Sequence, residues 1–173
     1  MKKTIGSIGL GNIGEPMALN LIQSGYSVLG FDVVEKPVFV AAGGFQVKSV
    51  AEVGEKTEVI VQSLPTVQAL EKTVDDLIEF GRRGQIIIEI SSYPLKDKKL
   101  QASRLAEQGI TMLDCEISGL PFMVADRTAT IFQSGDQTIL ESVQEVFEAM
   151  TNKRVNLGEF GAATKMKLLA NMM

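Results

Sequence analysis

The chain has 173 residues, 17 Lys and Arg against 21 Asp and Glu for a net charge of −4, and 45% hydrophobic residues. That length builds one good-sized domain with its own core and falls short of two. The acidic balance excludes the basic footprint of a nucleic-acid binder, no stretch is long and apolar enough to span a membrane, and a single cysteine, Cys115, excludes an internal disulfide, which fits a reducing, cytoplasmic setting. Lys2 and Lys3 imitate the start of a secretion signal, but glycines, Asn12 and Glu15 interrupt the apolar stretch that follows, so it reads as a first strand. In chain order, strands are expected at Thr4 to Ile8, Ser27 to Phe31, Glu58 to Gln62, Gln85 to Ile90, Ile110 to Asp114, Thr128 to Gln133 and Arg154 to Leu157. Helices are expected at Glu15 to Gln23, Lys36 to Ala42, Val67 to Glu79, Leu95 to Glu107, Thr138 to Ala149 and from Ala162 onward.

Val59-Ile60-Val61 and Ile86-Ile87-Ile88 are apolar on consecutive residues, so both faces of those strands need cover, as in a parallel sheet wrapped by helices. Gly25, Gly43-Gly44, Gly84, Gly109 and Gly135 fall where helices end or turns occur, in phase with this alternation. The expected fold is α/β, a doubly wound, mostly parallel Rossmann-type sheet.

Gly9-Leu10-Gly11-Asn12-Ile13-Gly14 joins the first strand to the first helix. Gly9 permits the tight turn, Gly11 lets the backbone approach a pyrophosphate, and Gly14 lets the helix lie close on the strand, with free helix N–H groups facing the phosphates. A plain tight turn would also fit the glycines. Asp32, however, ends the next apolar run about where a carboxylate meets an adenosine ribose, so the pair points to a dinucleotide site. Asp32, with Glu35 near it and Val33 where an arginine would favour a 2′-phosphate, predicts NAD over NADP; Lys36 is the one residue that opposes this.

In the last segment Met166, Leu169, Ala170 and Met173 share one broad face, while Lys167 and Asn171, four apart, lie on another. The pattern stops without a capping residue, which implies a fragment or a helix that docks on another subunit, hence a homo-oligomer.

The stretch from Gly9 to Leu21, with Pro16-Met17-Ala18 after the glycines, resembles the N-terminal signature of the β-hydroxyacid dehydrogenases, the group of 3-hydroxyisobutyrate and 6-phosphogluconate dehydrogenases. Further matches fall in order along the chain: Leu64-Pro65, Glu89-Ile90-Ser91-Ser92-Tyr93-Pro94, Ile117-Ser118-Gly119, and Gly158 to Lys167 with Asn171 four residues on. The resemblance implies that residues 1–160 are a dinucleotide-binding domain, that 161–173 begin an interdomain helix, and that an all-helical C-terminal domain is absent from this chain.

It also implies roles. Lys167 is the general acid/base that takes the hydroxyl proton of a small anionic hydroxyacid as hydride leaves for the nicotinamide, and Asn171 holds Lys167 or a substrate oxygen. Ser118 and the Gly119 and Leu120 backbone bind the substrate carboxylate, while Leu64, Pro65 and Ser92 line the nicotinamide end. Each has a plainer reading. Lys167 and Asn171 fit a solvated helix face, Lys165 competes for the catalytic role, Ser118-Gly119 fits an ordinary turn, and Cys115 fits a small buried hydrophobe. Where the family has a second glycine after Ser-Gly, this chain has Leu120 and then Pro121, which removes one backbone donor. Glu89 stands where aspartate is common and Ser92 where threonine is common, and Glu15 would repel a pyrophosphate if it pointed inward. The rival functions are an imine reductase-like enzyme, which Lys167 argues against, and a non-catalytic nucleotide sensor or assembly module.

Overall fold

Val59, Ile60 and Val61 are all buried, Val59 and Val61 in one apolar cluster and Ile60 in another, because successive residues of a strand face opposite sides of a sheet covered on both. The computed structural model describes residues 3–172; the readings of Lys2 and Met173 fall outside the described residues. In chain order the elements are β1 (Thr4–Ile8), α1 (Gly14–Gln23), β2 (Ser27–Phe31), α2 (Pro37–Ala41), β3 (Phe45–Gln46), α3 (Val50–Lys56), β4 (Val59–Gln62), α4 (Val67–Phe80), β5 (Ile86–Glu89), α5 (Leu95–Glu107), β6 (Thr111–Ser118), α6 (Pro121–Ala125), β7 (Thr130–Ser134), α7 (Gln137–Ser142), α8 (Gln144–Met150), β8 (Lys153–Asn156) and α9 (Ala162–Met172).

The strands make one sheet in the order β3-β2-β1-β4-β5-β6-β7-β8. All pairings are parallel except β6 with β7, so the last two strands run against the rest. This is the doubly wound arrangement expected, with the strand order reversing between β1 and β4. At such a switch point the loops after adjacent strands diverge and leave a crevice at their carboxyl ends. One core cluster holds Met17 and Leu21 of α1 with Phe147 and Met150 of α8; the other holds Val53 of α3, Leu70, Val74 and Leu77 of α4 and Leu105 of α5.

The structure adds elements to the sequence reading. β3 has two residues, paired as Leu29 with Phe45 and Gly30 with Gln46, too few for a periodic signal. α3 begins at Ser49, whose side chain accepts from the Glu52 N–H at 3.2 Å, while Glu52 accepts from the Lys48 N–H at 3.0 Å. The expected helix over 138–149 divides into α7 and α8 at Val143. β6 runs on to Ser118 because its outer half pairs with β7, Asp114 opposite Ser134 through Ser118 opposite Thr130, after its first half has paired with β5. Pro121 stands at the start of α6, where a missing N–H is no loss to the helix, so Leu120-Pro121 is first of all a helix beginning.

Candidate cofactor cleft and active site

The loop between β1 and α1 turns at Gly9, whose φ of +84° favours glycine and whose N–H donates to the Phe31 carbonyl at 2.9 Å. α1 starts after Ile13 with no side-chain cap, and among the described residues no acceptor takes the N–H of Gly11, Asn12 or Ile13. Nothing lies within 4 Å of where a Cβ on Gly11 would stand. Uncapped donors beside open space at a helix N-terminus suit a pyrophosphate, so these residues fit a dinucleotide.

They open onto a cleft of about 700 Å³ at the switch point, lined by Gly9, Gly11, Asn12, Ile13, Asp32, Leu64 and Pro65 of the expected set, together with Val33, Lys36, Lys48 and Lys72. Gly14 lies behind the cleft and Leu10 is fully buried in the core, its N–H donated to Asp32 Oδ2 at 2.7 Å. Asp32 Oδ1 accepts from the Val34 N–H at 3.0 Å, and Lys36 Nζ lies 3.8 Å from Oδ2, so the carboxylate is aimed by two backbone donors and a partial ion pair. Glu15 does not line the cleft, which removes the expected repulsion. A larger cleft of about 970 Å³ opens beside Lys3, Glu58 and Arg82, at the amino ends of β1, β4 and β5.

Ser118 ends β6 and Leu120 precedes α6, with Leu120 and Phe122 exposed. α9 packs on β6 and β7. Its buried first turn is tied down by Ala163 N–H to Ser134 Oγ at 3.1 Å, Thr164 N–H to Asp114 Oδ2 at 3.0 Å, and the Thr164 hydroxyl, 2.7 Å from Asp114 Oδ1 and 3.4 Å from Glu116 Oε1. Lys167 follows one turn later, half-buried, and Asn171 another turn on, exposed; neither side chain has a hydrogen bond among the described residues. Lys165 is exposed, as a surface charge should be. Leu168, Leu169 and Met172 are exposed as well, so these apolar side chains have no cover among the described residues. Ser92 does not line the cofactor cleft; its hydroxyl donates to Glu116 Oε2 at 2.5 Å. Cys115 is buried and free, as expected.

Beneath these residues lies a cluster that the sequence reading missed. Lys98, Glu89, Asp114 and Glu116 are each 1% exposed or less. Burial alone would lower the Lys98 pKa, but Glu89, Asp114 and Glu116 around it raise it, so it is charged. Burial pushes Glu116 up despite Lys98, whereas for Asp114 the pull of Lys98 and the Thr164 bonds outweighs burial and holds the carboxyl down. Lys98 Nζ lies 3.0 Å from Asp114 Oδ1 and 2.9 Å from Glu116 Oε1, so both carboxyls pair with it.

Glu89 differs. Burial pushes its carboxyl up to about 7, against Lys98 and bonds from Ser91 and Gln62. An unfolded glutamate titrates near 4.5, so its contribution to stability is fully present below that pH and is lost as pH rises through about 7. Glu89→Gln is expected to raise stability at pH 8 by up to about 3 kcal/mol over the parent and by much less at pH 5, measured by urea unfolding. Gln62 Oε1, buried without a partner, can turn to accept from the new amide. An equal difference at both pH values would refute this account.

A family model described as the NAD binding domain of 6-phosphogluconate dehydrogenase matches residues 4–158. The chain belongs to this family. It is similar to an NAD-dependent L-serine dehydrogenase of Pseudomonas aeruginosa, 33% identical over 99% of this chain and 59% of that protein. Among solved structures it resembles a 3-hydroxyisobutyrate dehydrogenase of Mycobacterium tuberculosis with L-serine, at a TM-score of 0.93 and 29% identity over 99% of this chain and 60% of the other. An imine reductase from Myxococcus stipitatus in complex with NAD+ shares the fold, with a TM-score of 0.91 at 21% identity over 99% of this chain and 61% of that one. The chain spans about three-fifths of the length of the curated relatives it matches.

Proposed function

We propose that this NAD-binding domain serves an oxidoreductase that passes hydride between nicotinamide and a small β-hydroxyacid of the 3-hydroxyisobutyrate or serine kind. The observation that carries the reading is the anchorage of Lys167's helix on β6, the strand that ends in Ser118, in a sheet whose switch-point cleft carries free backbone donors. Gly11, Asn12 and Ile13 hold the pyrophosphate with backbone N–H groups, Asp32 accepts from the adenosine ribose, and Leu64 and Pro65 flank the nicotinamide end. When bound, NAD supplies the hydride acceptor. The Ser118 hydroxyl and the Gly119 and Leu120 backbone hold the substrate carboxylate. Lys167 Nζ takes the hydroxyl proton and returns it in reduction, and Asn171 orients Lys167 or the substrate oxygen.

Residues 1–160 are read as the cofactor domain and 161–173 as the start of an interdomain helix, with a helical domain of the full-length protein closing over Lys167. The uncovered Leu168, Leu169 and Met172 and the greater length of the relatives support this division. A cytoplasmic homo-oligomer is part of the same proposal, supported by the free Cys115 and that apolar face.

Calorimetry with NADH and NADPH, followed by NAD reduction by the full-length protein with a panel of hydroxyacids and cyclic imines, tests the reading. NADH is expected to bind at least about tenfold tighter than NADPH, because a 2′-phosphate would meet Asp32, and a hydroxyacid is expected to be turned over. Tighter binding of NADPH would overturn the cofactor choice. Absence of heat with either nucleotide would remove the enzyme reading altogether.

A further inference from the structure

In the run Lys96-Asp97-Lys98-Lys99, Lys98 alone turns fully inward from α5. Its ammonium donates to Asp114 Oδ1 at 3.0 Å, the Cys115 carbonyl at 3.1 Å and Glu116 Oε1 at 2.9 Å, which uses all three of its protons. From this one cation two arms run out, and they meet again at α9, where the Thr164 hydroxyl lies 2.7 Å from Asp114 Oδ1 and 3.4 Å from Glu116 Oε1. Through Asp114 the first arm reaches α9, since the same carboxylate accepts the Thr164 N–H and hydroxyl. Through Glu116 the second reaches the Ser92 hydroxyl after β5.

The first arm replaces something that α9 lacks. A helix normally satisfies and charge-balances its first N–H groups with its own cap or an acidic residue in its first turn, and α9 has no acidic residue there. A carboxylate borrowed from β6 does that work, and a carboxylate so deeply buried stays ionised only beside a cation. Lys98 is that cation.

We propose that Lys98 is a positioning residue, a buried ammonium that fixes the helix bearing Lys167 against β6 and, through Glu116, against Ser92 on the neighbouring strand end. The inference rests on the catalytic reading of Lys167 given above. It separates from cofactor binding, because none of Lys98, Asp114, Glu116 and Thr164 lines the cofactor cleft.

The test is the full-length protein with Lys98→Met, Asp114→Asn and Glu116→Gln combined, compared with the parent at pH 6, below the value of about 7 to which burial pushes Glu89, so that the charges leave together and no lone buried ion remains to unfold it. Three quantities are read: NADH affinity of the folded variant, kcat with the hydroxyacid found for the parent, and hydrogen exchange of the amides from Ala163 to Lys167. The expected result is NADH affinity within about twofold of the parent, kcat lower by about tenfold or more, and exchange in α9 faster by about tenfold while β1 and β4 are unchanged. Parental kcat, or a loss of NADH affinity that matches the loss of kcat, overturns the positioning role. If Lys167→Ala is inactive while the triple variant keeps full turnover, only the role of Lys98 fails. If Lys167→Ala is itself active, the catalytic reading fails, and the exchange data still decide whether Lys98 anchors α9.

Discussion

Lys167→Ala in the full-length protein is expected to lower hydroxyacid turnover by about a thousandfold and to leave NADH affinity within about twofold of the parent. The split follows from placement. The residues proposed to hold the nucleotide line the cleft at the ends of β1, β2 and β4, whereas Lys167 sits on α9, which packs on β6 and β7. In the proposed roles, removing its amine would take away the group that exchanges the substrate's proton and leave the cradle untouched. The bonds that anchor the helix belong to Ala163 and Thr164, so the truncation does not loosen α9. Lys167→Arg is not expected to restore the rate, because a guanidinium keeps its proton at any working pH. Lys165→Ala is the matched control: it removes an exposed charge two residues away and should behave as the parent. Ordinary turnover by Lys167→Ala would take the proton-transfer role from this residue.

Much of the fold was legible because the signals were local and physical. The run Val59-Ile60-Val61 demands cover on both faces, and the strand received it. The glycine loop and Asp32 came together at one cleft as expected, while the bond from the Leu10 N–H to the Asp32 carboxylate is a contact that only the fold supplies. Two omissions had a readable signal. Ser49-Val50-Ala51-Glu52 has the spacing of a capping box and starts α3, and Leu120-Pro121 has proline where a helix can begin.

The Lys98 cluster had no such signal. Lys96-Asp97-Lys98-Lys99 reads as a solvated face, and the carboxylates that draw Lys98 inward come from β6, more than a dozen residues away. Likewise the extension of β6 to Ser118 depends on pairing with an antiparallel β7, a partner that no property of the run Ile110 to Ser118 specifies. Long-range pairing and buried charge are tertiary facts, and periodicity reports only which residues seek the interior.

The three glycines of the cofactor loop are expected to fail in different ways when replaced by alanine. At Gly14 a Cβ would run into the carbonyl oxygen of Gly9 and stand 3.0 Å from its carbon, backbone against backbone, so the clash is relieved only by lifting α1 off the loop. At Gly9 it would meet the Ser63 carbonyl, 2.9 Å from its carbon, in a chain already held at a φ of +84°. Each of these substitutions should cost more than about 3 kcal/mol, a large share of the stability of an ordinary domain, and show first as lost soluble protein or a much lower urea midpoint. Gly11 is the opposite case: with nothing within 4 Å of the added carbon, Gly11→Ala should fold with stability within about 0.5 kcal/mol of the parent. The space that makes it harmless to the fold is the space a pyrophosphate needs to reach the N–H groups of Asn12 and Ile13, so NADH affinity should fall by about ten- to a hundredfold in calorimetry. A stable Gly11→Ala protein that binds NADH like the parent would mean that the phosphates approach from elsewhere, and a Gly14→Ala protein of parental stability would mean that α1 and the loop have room to separate.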